Sequence, residues 1–203
     1  MTDDDVMISY LPLAHYFEKS MFVCWCIAGI AIGFYGGNQA KLMEDVQELK
    51  PTFFPSMPKL FERIHDKILK SVKEKGSTTQ SMFKKAIDAK IYALNKFGVY
   101  NHKLWDNMFF NQIKLTLGGR VKTMVIGSGH ISQEILNVLR VSFSCPILEG
   151  YGLTETGSAV CLTSPIDPVG CTVGGPLSCI RLRLKEIPEI TSFSNVEYLS
   201  GEI

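Results

Sequence analysis

At 203 residues the chain is long enough to bury a sizeable core, since a domain near this size removes roughly 70% of its unfolded surface from water. Its 46% hydrophobic and 20% charged content is that of an ordinary globular protein. The 21 basic and 20 acidic residues leave a formal net charge of +1, a balance that sets aside nucleic acid and strongly acidic partners.

In chain order, the acidic opening MTDDD leads into VMISY, whose apolar alternation predicts a short strand ended by a proline near Leu11. From His15 to about Ile30 the pattern predicts a helix whose later turns are apolar nearly all round, and so a buried one. The segment 21–35 falls short of the roughly 20 apolar residues that a membrane-spanning helix needs. IAIGFYGG reads as a short strand closed by glycines. Asn38 can cap a helix running to about Leu49, and TFFP after Pro51 is a strand of the kind enclosed in a parallel sheet.

Leu60, Ile64, Ile68 and Val72 then recur every four residues, one helix face ending at Gly76. Phe83, Ala86, Leu94 and Phe97 mark a second helix, and Trp105, Phe109 and Ile113 a third. Together they predict a helical insertion over about 57–117 with a basic, solvated surface. VKTMVIG is an apolar strand. Ile131, Ile135, Leu139 and Phe143 share a face of the helix that follows, and CPILEGYG is the next strand and its exit loop. This alternation implies an α/β fold, a parallel sheet flanked by helices with right-handed crossovers, over residues 1–163. After Ser164 the composition shifts to Pro, Gly and β-branched residues. IRLRL alternates as a half-buried strand and GEI begins another, so 164–203 read as the start of a β-rich subdomain.

The six cysteines include no CxxC pair and follow no signal peptide, which predicts reduced core thiols in an intracellular protein. His15, Cys24 and Cys26 are weak metal ligands, because alternate positions on a helix face different ways.

In a parallel sheet, ligands bind at the carboxyl ends of strands. Two such ends stand out, IGSGH at 126–130 and EGYGLTET at 149–156. Their glycines let a planar ligand and its phosphates approach the backbone. Tyr151 offers a ring for stacking, Thr154 a hydroxyl for a phosphate oxygen and Glu155 a hard oxygen for Mg²⁺. The same string also suits a common polar turn.

YGLTET after an apolar strand resembles the signature of the adenylate-forming enzymes. ISYLPLAHYFEK, KPTFFPSMPKLFERI, LGGRVKTMVIGSGHIS and VGGPL, in that order, resemble the long-chain fatty-acyl-CoA synthetases among them, over nearly the whole chain. The resemblance implies ATP and AMP as ligands with Mg²⁺, and a fatty acid and CoA as substrates. It implies that Tyr151 packs on adenine, that Thr154 meets the α-phosphate and that Glu155 holds the metal. Gly127, Ser128 and Gly129 would border the base, with Glu149, Gly150 and Gly152 beside it. His15 would line the acyl and adenylate pocket, the alternative being a hydrogen-bonded histidine at a helix start. The family usually has Gly-Ala-Ala-Pro where this chain has Gly127, Ser128, Gly129 and His130, and without proline the loop is expected to be looser.

The resemblance further implies a phosphate loop with a lysine upstream of LPLAH, and a ribose-binding aspartate and a lysine-bearing lid downstream. None is found within residues 1–203, so the expectation is a piece of such a ligase, inactive alone and partnered by flanking segments of the same enzyme. GSTTQ at 76–80 joins two helices, follows no strand and reads as a linker. The implied location is the cytoplasm or the cytosolic face of an organelle membrane such as endoplasmic reticulum or peroxisome, with peripheral membrane association allowed. The alternatives are a ligase for another carboxylate, and a non-catalytic nucleotide-binding or interaction module.

Overall fold

The computed structural model describes residues 2, 4–166, 170 and 172–185. Its strands are β1 (Val6–Ser9), β2 (Ala31–Phe34), β3 (Phe53–Ser56), β4 (Thr123–Ile126), β5 (Ile147–Leu153), β6 (Ser158–Leu162) and β7 (Gly175–Pro176). They form one sheet in the order β2-β1-β3-β4-β5-β6-β7, parallel through β5 and antiparallel beyond it. The helices are α1 (Tyr16–Ala28), α2 (Leu42–Leu49), α3 (Pro58–Glu74), α4 (Ser77–Phe97), α5 (Lys103–Trp105), α6 (Asn111–Lys114) and α7 (Gln133–Phe143). A π-helical turn at Asp106–Phe110 and a 3₁₀ turn at Leu115–Leu117 extend α5 and α6 into one run over 103–117.

Alternate strand residues face opposite sides of the sheet, and the two sides are covered unequally. Ile8, Phe54, Met124, Ile126 and Ile147 pack with buried residues of α2, α3, α4 and α7 in the main core. On the other side Met7 and Phe53 pack with Trp25 of α1 and Ile30. Helix α1 was expected to be buried all round, yet only Glu18 and Trp25 within it are buried, and Ile27 is 83% exposed. One helix alone on a sheet face buries a single stripe. Met21 packs against that small cluster and Phe22 meets the Phe34 ring, while Val23 and Ile27 stay exposed. Cys24 and Cys26 share that exposure and Cys179 is also exposed, against the expectation of core thiols; Cys145 and Cys161 are buried. Burial pushes the Cys145 thiol up to about 12.

The insertion follows its four-residue spacing closely. Pro58 opens α3, where a missing N–H costs nothing, and Phe61, Ile64, Ile68 and Val72 are buried. In α4 the buried set is Phe83, Ala86, Ile87, Lys90 and Leu94, whereas Phe97, the last of the residues that mark the helix in the sequence, is 64% exposed at the last turn. Lys90 is the feature that spacing could not give. Its Nζ donates to Asp106 Oδ1 at 2.5 Å and to Ser144 Oγ at 2.8 Å, and lies 4.3 Å from the Phe110 ring centroid. Asp106 Oδ2 accepts from the His102 N–H at 2.8 Å. Burial lowers the Lys90 pKa against the pull of Asp106. Burial also raises that of Asp106, but the hydrogen bonds from Lys90 and the His102 N–H, with the positive charge of Lys90, together outweigh it and leave the carboxyl below its usual range. The pair ties α4, the 103–117 run and the end of α7 together.

The expected strand IRLRL is irregular at 180–184, with only Lys185 in a bridge, and GEI lies outside the described residues. An alternating pattern forms a strand only where a partner edge receives it, and none does so here among the described residues.

Removing one member of a buried ion pair strands the other without compensation. Lys90→Met is expected to lower the unfolding free energy by roughly 3–5 kcal/mol, and adding Asp106→Leu to restore much of it. Urea unfolding checks this; losses that simply add in the double variant would count against a coupled pair.

Candidate functional site

The step from β1 to β2 runs one way across the sheet with α1 on one face, and the later steps run the other way with their helices on the opposite face. The strand order therefore reverses between β1 and β3, the place where open parallel sheets bind their ligands, at the carboxyl edge. Ser9 Oγ there donates to Glu18 Oε1 at 2.6 Å, and the Tyr10 hydroxyl donates to Ser56 Oγ at 2.6 Å. Glu18 is fully buried and its Oε2 has no hydrogen-bond partner among the described residues. Burial raises its pKa, only partly offset by Ser9. Glu18 was not among the residues singled out from sequence; the signal available was a carboxylate one turn into a largely apolar helix.

Two strands along, β4 stops at Ile126, paired with Glu149, while β5 continues to Leu153 hydrogen-bonded to β6. The end of β5 thus overhangs the loop 127–130. EGYGL, read as a strand end and exit loop, is strand throughout, because β6 folds back on it. Gly152 permits that closure. A Cβ there would stand 1.9 Å from Ser158 O, and the ladder shifts register between Tyr151 and Gly152. Thr154 and Glu155 occupy the exposed hairpin turn, closed by Gly157 N–H to Thr154 O at 3.1 Å and by Leu153 N–H to Thr156 Oγ1 at 3.0 Å. Ser20 and Ser158 hydroxyls, 2.7 Å apart, tether the hairpin to α1.

Gly127 is buried and its N–H donates to Ser56 O at 3.2 Å. A Cβ there would stand 2.6 Å from the Phe17 ring, so the glycine lets α1 lean on the loop. Ser128 takes a left-handed conformation (φ 65°), unusual for a residue with a Cβ, and with Gly129 and His130 it is exposed. Glu149 is buried, its N–H donating to Thr163 Oγ1 at 2.8 Å while its Oε1 has no partner among the described residues. Burial raises its pKa against the opposing charges of Arg140 and His130. Gly150 and Tyr151 are half-buried in the overhang. The structure therefore places 127–130 beside 149–152 and carries Thr154 and Glu155 out to the hairpin tip. His15 is exposed and caps α1, its Nδ1 accepting from the Phe17 N–H at 3.2 Å, which is the helix-start role.

Residues 1–203 match the pattern of the family described as AMP-binding enzyme. The chain belongs to that family. Within the AMP-binding enzymes it is 38% identical over 200 residues to "Long chain acyl-CoA synthetase 7, peroxisomal" of Arabidopsis thaliana, covering 98% of this chain and 28% of that protein. It is 36% identical over 191 residues to "Long-chain-fatty-acid--CoA ligase 1" of Homo sapiens, covering 92% and 26%. The chain thus spans about a quarter of the length of these curated relatives. Among solved structures it resembles the A-PCP didomain of carboxylic acid reductase from Segniliparus rugosus in complex with AMP. That likeness has a TM-score of 0.65 at 20% identity and covers 95% of this chain and 23% of that one. It also resembles o-succinylbenzoate coenzyme A synthetase of Bacillus subtilis in complex with AMP, with a TM-score of 0.54 at 15% identity, covering 92% and 36%. These likenesses establish the fold expected from sequence, a largely parallel sheet flanked by helices.

A buried carboxyl whose folded pKa is raised contributes stability at low pH that is lost as pH rises through the folded value. Glu18→Gln is expected to remove that loss, so the thermal midpoints of variant and parent converge in acid and separate in the variant's favour above the usual glutamate range; parallel curves from pH 4 to 8 would refute it. Gly127→Ala is expected to cost about 1–3 kcal/mol by crowding Phe17. Phe17→Ala in the same chain should relieve it, with a coupling near 1 kcal/mol in a double-mutant unfolding cycle.

Proposed function

We propose that the chain is part of a long-chain fatty-acid–CoA ligase. The observation that carries this reading is the 38% identity to a long chain acyl-CoA synthetase across 98% of the chain, with YGLTET standing at the carboxyl edge. In the first step the fatty-acid carboxylate attacks the α-phosphorus of ATP and pyrophosphate leaves. In the second the CoA thiol attacks the acyl carbonyl, the thioester forms and AMP leaves.

The juxtaposition of 127–130 and 149–152 at the carboxyl edge supports a place for the nucleotide, since parallel sheets bind their ligands there. Gly127, Ser128 and Gly129 border the adenine, Tyr151 stacks on it and Thr154 meets the α-phosphate. A Glu149 kept closer to neutrality by burial repels a triphosphate less than a free carboxylate does. Among the described residues no three His, Cys, Asp or Glu side chains gather at one point. Mg²⁺ is ordinarily held by one or two carboxylates together with substrate phosphates and water, so an exposed Glu155 fits as its single protein ligand. Bound there, the ion neutralises phosphate charge. His15, whose Nδ1 caps α1, is assigned to the lining of the acyl pocket by the family resemblance alone. Peroxisomal relatives support an organelle location, and no helix among the described residues is long and apolar enough to cross a membrane.

The longer protein that carries these residues is expected to convert palmitate, ATP and CoA to the thioester, read by chromatography, and Glu155→Ala to lower kcat by about 10²-fold or more. The isolated 203 residues should give no product. Pyrophosphate release with aryl or amino acids but not palmitate would overturn the substrate class, and an unchanged kcat in Glu155→Ala would overturn the assignment of that residue.

A further inference from the structure

Away from the carboxyl edge, α3 and the 103–117 run leave a groove of ≈ 230 Å³ between them. Its apolar lining includes Ile64, Ile68, Val72, Phe83, Phe109 and Ile113, and Lys67 and Lys75 border it. Both lysines are exposed and neither has an ion-pair partner among the described residues. Lys67, Ser71 and Lys75 fall at four-residue spacing, so they line one side of the helix as a rim about 12 Å long. The hydroxyls nearby are already committed to main-chain carbonyls. Ser71 Oγ donates to Ile68 O at 2.8 Å, Thr79 Oγ1 to Lys75 O at 3.2 Å and Thr116 Oγ1 to Ile113 O at 2.7 Å. The groove therefore offers apolar surface within and two unneutralised ammonium groups at its border. Over 58–97 ten Lys and Arg stand against four Asp and Glu, so the surrounding field also favours an anion.

We propose that this groove binds a single-chain anionic amphiphile, its alkyl chain along Ile64, Ile68 and Phe109 and its head group against Lys67 or Lys75. A cavity of about 150 Å³ lined by aliphatic and aromatic side chains takes up benzene, so the volume here suffices for several methylenes and not for a folded peptide. The site shares no residue with the carboxyl edge, and its occupancy is read without turnover.

Calorimetric titration of the 203-residue chain with decanoate, decyl phosphate and decanol tests the proposal. Saturable binding of at least one anion, at least about tenfold tighter than decanol, is expected; the tighter of the two anions identifies the head group as carboxylate or phosphate. Lys67→Glu with Lys75→Glu should weaken the anions by about tenfold and leave decanol little changed. Ile113→Trp, which fills the groove, should abolish binding, with a near-native circular dichroism spectrum as the folding control, and Glu155→Ala should leave it intact. Absence of saturable binding, decanol binding as tightly as the anions, or insensitivity to the lysine reversals would overturn it. So would loss in Glu155→Ala, which points to the carboxyl edge, or binding by this chain but not by the longer protein, which means another segment fills the groove.

Discussion

The parallel register of Phe53–Ser56 against Thr123–Ile126 is the constraint on which the rest of the structure depends. Two adjacent strands pointing the same way need a crossover, and here the whole of 57–122 must leave the carboxyl end of one strand and return to the amino end of the other. A right-handed return keeps that segment on one sheet face, where α3, α4 and the 103–117 run bury Ile8, Phe54, Met124 and Ile147. Lys90, Asp106 and Ser144 then meet in the space that these helices enclose. Desolvating an ion pair is rarely a net gain, so this one fits a role in fixing which helix faces which better than a role in adding stability.

The same register brings the ends of β3 and β4 together, as the Gly127 N–H to Ser56 O bond records. From there the carboxyl edge runs without a break from Ser9 and Tyr10, past Ser56 and Gly127, to Glu149 and the β5 overhang. The edge is held by features that a sheet optimised for stability alone would avoid. Glu18 and Glu149 are buried with oxygens unmatched among the described residues, and Ser128 is left-handed. Local departures of this kind collect where a protein binds and reacts, which agrees with membership of a family of AMP-binding enzymes.

Sequence legibility tracked how local each signal was. Helix α3 could be read from Leu60, Ile64, Ile68 and Val72 because its buried stripe is its own four-residue period. Asn38 before α2 caps by accepting from the Ala40 N–H two positions on, also a local matter. Helix α1 misled, since apolar composition states what a segment would bury and not whether the fold supplies a cover. EGYGL misled in the other direction. Its strand pairing comes from β6, which the glycines and polar residues around it do not announce.

The sequence by itself determined the alternation of strands and helices, the carboxyl edge as the place of interest, and the glycine-rich strings that mark it. Periodicity, capping and glycine's freedom act within a few residues, so they can be read along the chain. Only the tertiary structure decided that Glu18 and Lys90 are buried, that Phe17 rests on Gly127, and that YGLTET is divided between a strand and a hairpin tip. Those outcomes depend on which surfaces meet across the reversal of strand order between β1 and β3, and no local pattern encodes the burial of a charge by residues far away in the chain.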